Sequence, residues 1–266
     1  MEIPLLLEAI FRRYGFDFRE YAPASLKRRL WRRIHAEKLT SVSGLQERVL
    51  HDPACMERLL LDLSINVTAM FRDPTFYAAF RANVVPILRT YPFARIWNAG
   101  CSTGEEVLSL AILLHEEGLL ERTRIYATDI NENVLAIARA GVFPLERMQE
   151  YTQNYIRAGG TRAFSEYYVA AYDGAWFSRF LLENIVFAQH NLVSDRSFNE
   201  FNAVICRNVM IYFDRSLQDR VHDLFHQSLS MFGVLALGHK ESIRFSPFED
   251  RYEELDNAER LYRKVV

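Results

Sequence analysis

The sequence predicts an α/β chain. A small helical N-terminal domain precedes a doubly wound, Rossmann-like domain that carries a small antiparallel β insertion. Three observations predict this. Up to about residue 90, apolar residues recur at three- and four-residue spacing, the rhythm of amphipathic helices. From about residue 94, short apolar runs alternate with helical patterns, the mark of a doubly wound sheet. Between the first of these runs and its helix lies "NAGCSTGEEV", a turn of small residues followed by two carboxylates.

In the N-terminal part, Leu5, Leu6, Ala9 and Ile10 share a helical spacing, as do Leu26, Leu30 and Ile34, and then Leu59, Leu60 and Leu63. Breaks fall at Gly15, at Pro23, in the stretch 40–44 and at Pro53. Candidate strands follow at 95–99, 125–128, 185–188, 203–206 and 234–237, and a helical pattern follows the first, second and fourth. "RLYRKVV" at 260–266 reads as a last strand at the sheet edge. The aromatic-rich stretch 164–179 fits neither rhythm. Tyr167, Val169 and Ala171 alternate and Asp173-Gly174 is a good turn, which predicts the antiparallel insertion at about 160–182. The division expected is 1–75 for the helical domain and 76–266 for the α/β domain.

Composition bounds the function. The chain has 266 residues, half of them hydrophobic and a quarter charged, which suits one large globular domain or two unequal ones. A net charge of −2 argues against bulk nucleic-acid binding. Cys55, Cys101 and Cys206 stand far apart, with no C-x-x-C pair, so they read as reduced thiols of a cytosolic protein. The seven histidines are scattered, and no metal ligand set is assigned. An acid at position 2 and a short apolar run do not make a signal peptide. No run approaches the roughly 18 apolar residues of a membrane span.

In open α/β sheets ligands bind beyond the carboxyl ends of the strands, where Gly100 and Gly104 bracket the first turn. Small residues there let backbone and ligand approach closely. A phosphate loop would end in Gly-Lys-Ser/Thr, whereas this turn ends in Gly-Glu-Glu and suits a ligand carrying positive charge. Glu105 or Glu106 can also simply favour the helix N-terminus. Asp129 ends the second strand in "ATDIN", where an acid holds a ribose diol; capping of the next helix by Asp129 or Asn131 is the plainer reading. Turn and acid together indicate a nucleoside. NAD and S-adenosylmethionine both fit, and the two acids favour the second, whose methionine end bears an ammonium and a sulfonium. A NAD-dependent dehydrogenase usually has G-x-G-x-x-G, and "GCSTGE" lacks the middle glycine. A further feature is "LKRRLWRRI". Leu26, Leu30 and Ile34 share one helix face, and Arg28, Arg29, Arg32 and Arg33 spread over the other. That face is either merely solvated or a docking surface for an acidic helical partner.

"NVTAMFRDP", "AGCSTGEE", "ATDIN", "QHNL" and "ICRNVMIYFD", in this order and spacing, resemble the chemotaxis receptor methyltransferase (CheR) family over nearly the whole chain. The resemblance implies a cytoplasmic enzyme that transfers a methyl group from S-adenosylmethionine to glutamate carboxylates of bacterial chemoreceptors. The products are a glutamate methyl ester, formed in chemotaxis adaptation, and S-adenosylhomocysteine. It implies as partner the cytoplasmic helical domain of a membrane-bound receptor, with no nucleic acid and no membrane insertion. Asn66, Thr68 and Arg72 would sit over the cofactor from the linker. Gly100, Glu105 and Glu106 would take the methionine end and Asp129 the ribose. Asn191 and Leu192 would border the adenine. Arg207 and Asn208 would contact the cofactor near the transfer centre, and Tyr212 would point at the methyl group. The basic helix face would dock the receptor, as family members are thought to use their N-terminal domain.

The chain departs from the family pattern at Met70, where an aromatic is usual, and at Val107-Leu108, where Pro-Tyr is usual. A methyltransferase-like cofactor-binding module, or a methyltransferase for another protein or small molecule, therefore remains as an alternative. The chemistry asks little of the chain. A glutamate side chain with a reference pKa of about 4.3 is already ionised and needs no strong base. The enzyme must align nucleophile and methyl group and exclude water. Arg72 would hold the substrate carboxylate by a charge-assisted bond.

Overall fold

The computed structural model describes residues 2–64, 68–172 and 174–266. Four helices build the N-terminal unit: α1 (Glu2–Tyr14), α2 (Pro23–Ala36), α3 (Val42–His51) and α4 (Pro53–Leu63). Each sequence break is a helix boundary with a physical cause. Gly15 ends α1 in a left-handed conformation. Pro23 and Pro53 open α2 and α4, where a missing N–H costs nothing. Ser41 caps α3 by accepting from the Gly44 N–H at 3.0 Å, and Asp52 caps α4 through the Ala54 N–H. The apolar stripes meet in one core that includes Leu6, Ile10, Leu30, Ile34, Leu45 and Leu59.

A linker leads through α5 (Pro74–Ala79), one π-helical turn (Phe80–Val84) and α6 (Val85–Arg89) to the sheet. The strands are β1 (Ala94–Ala99), β2 (Thr123–Asp129), β6 (Ile185–Gln189), β7 (Phe201–Cys206), β8 (Leu229–Leu237), β9 (Tyr252–Asp256) and β10 (Leu261–Lys264). They lie in the order β6-β2-β1-β7-β8-β10-β9. The first five are parallel, and β10 runs antiparallel to both β8 and β9. Helices α7 (Glu105–Glu116), α8 (Glu132–Ala140) and α11 (Arg215–Ser228) follow β1, β2 and β7. Side chains alternate across β1. Ile96 enters the core on one side of the sheet, while Trp97 and Ala99 enter the core on the other. Burial on both faces explains why these strands read as continuous apolar runs. Strand order reverses beside β1, between β2 and β7, which sets a crevice at their carboxyl ends.

The small sheet consists of β3 (Val142–Pro144), β5 (Gly174–Phe177) and β4 (Tyr168–Ala171), in the order β3-β5-β4. It sits beside α9 (Met148–Arg157) and the short α10 (Arg179–Leu182). Two of its strands lie in the expected insertion. The third, β3, is only three residues long and ends in proline, so no period marked it. Of the proposed turn pair, Asp173 lies outside the described residues. One strand expectation is corrected: "RLYRKVV" contributes β10, an interior strand, and the edge belongs to β9. The "YEELD" of β9 is too acidic to read as a strand, yet such charge suits an exposed sheet edge.

The helical unit is seated on the carboxyl-end side of the sheet. The Ala22 N–H donates to the Tyr212 carbonyl at 2.9 Å, and the Asp214 N–H donates to the Glu20 carbonyl at 2.9 Å. The rings of Tyr21 and Phe213 pack 4.9 Å apart. No helix among the described residues is long and apolar enough to cross a membrane, and no cluster of metal-ligating side chains occurs among them.

Candidate active site

The β1–α7 turn is set by its backbone. Gly100, Ser102 and Gly104 all have positive φ, of 78°, 50° and 96°. At both glycines a neighbour of this chain occupies the space a side chain would need. A Cβ on Gly100 would stand 2.5 Å from a Val209 methyl, and one on Gly104 would stand 2.8 Å from the Ala138 methyl. The glycines therefore let the β7 loop and α8 close onto the turn. Asp129, at the tip of β2, ties this turn down. Its carboxylate accepts from the Ser102 N–H at 2.9 Å and from the Asn131 N–H at 3.0 Å. Burial pushes its carboxyl upward against those bonds. The cap of α8 is Asn131, which accepts from the Asn133 N–H.

The two acids after Gly104 part company. Glu106 accepts from Asn98 Nδ2 at 2.7 Å and from Arg207 Nη1 at 2.8 Å. Glu105 turns away into the core, where it meets Thr103 Oγ1 at 2.6 Å and the Tyr151 hydroxyl at 3.3 Å. Burial pushes its carboxyl upward. Only Glu106 lines the crevice. The expectation that both acids face the ligand is thus corrected: successive residues at a helix start point about 100° apart, and α9 claims the first.

Arg207, at the end of β7, is the hub. Its side chain is 0% exposed, and it pairs with Glu106 at 2.8 Å and with Asp73 at 2.8 Å. It also lies 3.9 Å over the Phe76 ring. Burial works against its charge, but Glu106, Tyr77 and Asp73 more than offset this and hold its pKa above the usual arginine value. Two carboxylates against one guanidinium leave a single net negative charge. Asp73 follows Arg72, and the Arg72 carbonyl lies 3.5 Å from Arg207 Nη1. Phe71 and Asp73, on either side of Arg72, both hold positive φ, at 51° and 56°. Such non-glycine residues store on the order of 1–3 kcal/mol each and cluster at functional sites. Phe71 is pinned in the core, where its N–H donates to Ser109 Oγ at 2.8 Å.

A crevice of about 950 Å³, counting its open mouth, runs past the ends of β1, β2, β6 and β7. It brings together Thr68, Arg72, Gly100, Glu106, Asp129, Asn191, Leu192, Arg207, Asn208 and Tyr212, ten of the residues singled out from sequence. Asn66 lies outside the described residues, and Glu105 stands behind the wall. Asn191 is held by its own loop: its side chain accepts from the Val193 N–H at 3.0 Å. Met70, Val107 and Leu108 are fully buried in the core, so these family departures do not face the crevice.

The basic helix face is also corrected. Arg28 and Arg32 are exposed, but Arg33 is paired with Asp62 at 2.6 Å and with Glu37 at 3.2 Å. Arg29 is buried; it donates to the Leu63 carbonyl and stacks 4.4 Å over the Tyr212 ring. It stands behind the crevice wall, against Tyr212, because the N-terminal unit is seated on the 207–213 loop. No helical period could reveal that tertiary contact.

Sequence reasoning missed Glu241 altogether. This buried carboxylate accepts four backbone N–H groups: Asn208 at 2.9 Å, Val209 at 2.9 Å, Met210 at 2.7 Å and Gly238 at 2.7 Å. Burial pushes its carboxyl upward while these donors pull it back. The cradle fixes the loop that presents Asn208, at φ 62°, and Tyr212 to the crevice. A lone Glu in "GHKES" carries no pattern of this kind.

The chain is similar to known proteins over both of its units. Residues 1–64 match the CheR methyltransferase all-alpha domain, and residues 66–258 match the CheR methyltransferase S-adenosylmethionine-binding domain. A Pseudomonas putida protein named as a methyltransferase, Cher3, is 53% identical over 99% of this chain and 97% of its own length. The chemotaxis protein methyltransferase 2 of Pseudomonas aeruginosa is 31% identical, over 88% of this chain and 84% of its own. The chemotaxis protein methyltransferase of Escherichia coli is 30% identical, over 92% and 85%.

Glu241→Gln sets an amide NH2 where one oxygen now accepts two N–H groups. Each stranded donor costs about 1–3 kcal/mol. A lowered melting temperature is expected, together with at least a tenfold fall in single-turnover methyl transfer at saturating cofactor. Thermal unfolding and rapid-quench transfer measure the two. A wild-type rate would show that the cradle does not set the loop.

Proposed function

The chain belongs to the CheR methyltransferase family, with S-adenosylmethionine as its cofactor, and from that premise we propose that it methylates glutamate carboxylates of bacterial chemoreceptors in the cytoplasm. The observation that carries this reading is the meeting of Arg72 and Tyr212 in one crevice with Glu106 and Asp129. The crevice residues fit a nucleoside with a cationic end. Apolar Ile130, Leu192 and Val209 share its wall with two carboxylates, and the Arg207 cluster keeps a net negative charge there. Asp129 would take the ribose, Asn191 and Leu192 the adenine, and Gly100 and Glu106 the methionine end, with Thr68 and Asn208 alongside. Arg207 would act through Glu106 and the Arg72 turn, since its own guanidinium is spent on carboxylates. Bound S-adenosylmethionine supplies the electrophilic methyl group.

The residues of the chain do the rest. Arg72 would receive the incoming glutamate carboxylate and Tyr212 would orient it toward the methyl group. Arg29 fixes the Tyr212 ring from the N-terminal side, and its Nε and Nη2 lack acceptors among the described residues. Of the two arginines, Arg72 is the one that lines the crevice and would meet an entering carboxylate. No general base is required. Receptor docking falls to the residues of the basic face that remain exposed, Arg28 and Arg32.

The test is single-turnover transfer of labelled methyl to receptor-rich membranes, scored as alkali-released methanol, the signature of an ester. Asp129→Ala is expected to weaken cofactor binding, with much of the rate recovered at saturating cofactor, because the ribose is the same in ground and transition states. Arg72→Ala is expected to lose turnover at saturation, by about 2.7–4 kcal/mol or a hundred- to a thousandfold. Arg72→Lys should restore only part of it. Transfer by Arg72→Ala at the wild-type rate would remove Arg72 from the reaction centre, and label stable to alkali would remove the carboxylate substrate.

Charge reversal at Arg28 and Arg32 together should slow receptor methylation at low salt and leave S-adenosylhomocysteine affinity unchanged. The loss should shrink as salt rises, since exposed charges are screened over about 10 Å at 0.1 M. Equal methylation rates at low salt would return this face to plain solvation.

A further inference from the structure

Behind the loop that carries Tyr212 lies a second cavity, of about 800 Å³ counting its mouth. Glu241 stands in the wall it shares with the loop, and Arg215 and His222 reach it from α11. Lys240, Arg244, Phe245 and Arg260 complete it from the segments that follow β8 and precede β10.

Its lining holds four cations and one carboxylate, and that carboxylate is Glu241, already committed to four N–H groups. Arg215 is balanced by Asp219 at 3.4 Å and Arg244 by Glu254 at 2.9 Å. Lys240 and Arg260 have no carboxylate partner among the described residues, and Arg260 Nη1 is spent on Asn257 Oδ1 at 2.9 Å. Two buried polar atoms in the lining lack partners: Arg260 Nε and His222 Nδ1. His222 is itself 3% exposed, and burial pushes its pKa down to about 4, so it is a neutral polar group at neutral pH. Phe245 is 88% exposed on this wall and is held at φ 63° by its N–H to Glu249 Oε2 at 2.7 Å and by Arg215 donating to its carbonyl. A backbone fixed in a disfavoured conformation to hold an aromatic ring in water suggests a ring that stacks on something.

We propose that this cavity is a second ligand site, separate from the cofactor crevice, that takes a nucleoside diphosphate. Lys240 and Arg260 bind its phosphates and Phe245 stacks on its base. A phosphate with more than one charge matches two cations lacking counter-ions. A planar base matches the exposed ring, since base–aromatic stacking contributes about 1–3 kcal/mol. His222 Nδ1 is left as a polar contact for a ligand hydroxyl.

The test is calorimetric titration of the full chain with the cofactor crevice already saturated by S-adenosylhomocysteine, which keeps adenine out of it. ADP, inorganic pyrophosphate and adenosine are the probes. ADP should bind more tightly than pyrophosphate, and adenosine should not register. Lys240→Ala, an exposed position that leaves the core intact, should weaken both phosphates at least tenfold. Arg260→Gln should do the same, and Phe245→Ala should weaken ADP alone. S-adenosylhomocysteine affinity should stay constant throughout. Absence of ADP and pyrophosphate binding, binding unmoved by Lys240→Ala, or adenosine binding equal to ADP would each overturn the site. Failure of S-adenosylhomocysteine itself to bind would count against the methyltransferase crevice instead.

Discussion

The Arg207 guanidinium, fully buried between Asp73 and Glu106, is the constraint on which the rest of the site depends. An isolated charge in that position would cost several kcal/mol, so each partner must stay where it is. The three residues come from three elements: the end of β7, the first turn of α7 and the linker before α5. Holding them together fixes the glycine turn, the acid that faces the crevice and the strained turn bearing Arg72. The same cluster sets two carboxylates against one guanidinium.

A second set of contacts closes the site from above. The N-terminal helices grip the 207–213 loop through Ala22, Tyr21 and Arg29, and Glu241 grips the same loop from below. A methyltransferase of this kind needs little chemical assistance from its side chains. What it needs is a fixed approach line for a carboxylate that is already ionised. Rigid support on both sides of Tyr212 serves that need. It also ties the helical unit to the loop that carries Tyr212.

The fold was legible in the sequence wherever burial was two-sided or a cap was chemical. The five parallel strands announced themselves as apolar runs because both faces of the sheet are covered. Pro23, Pro53 and the Ser41 region marked helix starts through the groups they remove or supply. The acidic edge strand β9 and the three-residue β3 were not legible, since neither carries an apolar period. Within the site, Gly100, Asp129 and the Glu105-Glu106 pair could be picked out by position along a β–turn–α unit, but not which of the two acids faces the crevice. Glu105, Arg29 and Glu241 could not be placed. Their roles are set by tertiary partners, namely Tyr151, Tyr212 and four backbone amides, that lie tens of residues or more away in sequence or have no side-chain signature. The basic helix face misled for this reason. Four arginines at helical spacing look alike until a second domain covers one and Asp62 takes another.

The hold of Arg207 on the Arg72 turn, through Asp73, is what the site stands or falls on. It is tested most directly by a double-mutant cycle of Arg207→Met and Asp73→Asn on the single-turnover rate of methyl transfer at saturating S-adenosylmethionine. If the buried pair sets the turn, each single change damages the same element, and the double variant loses far less than the sum, with a coupling of about 0.5–3 kcal/mol. Losses that simply add would mean that Arg207 and Asp73 act independently, and would contradict the clamp.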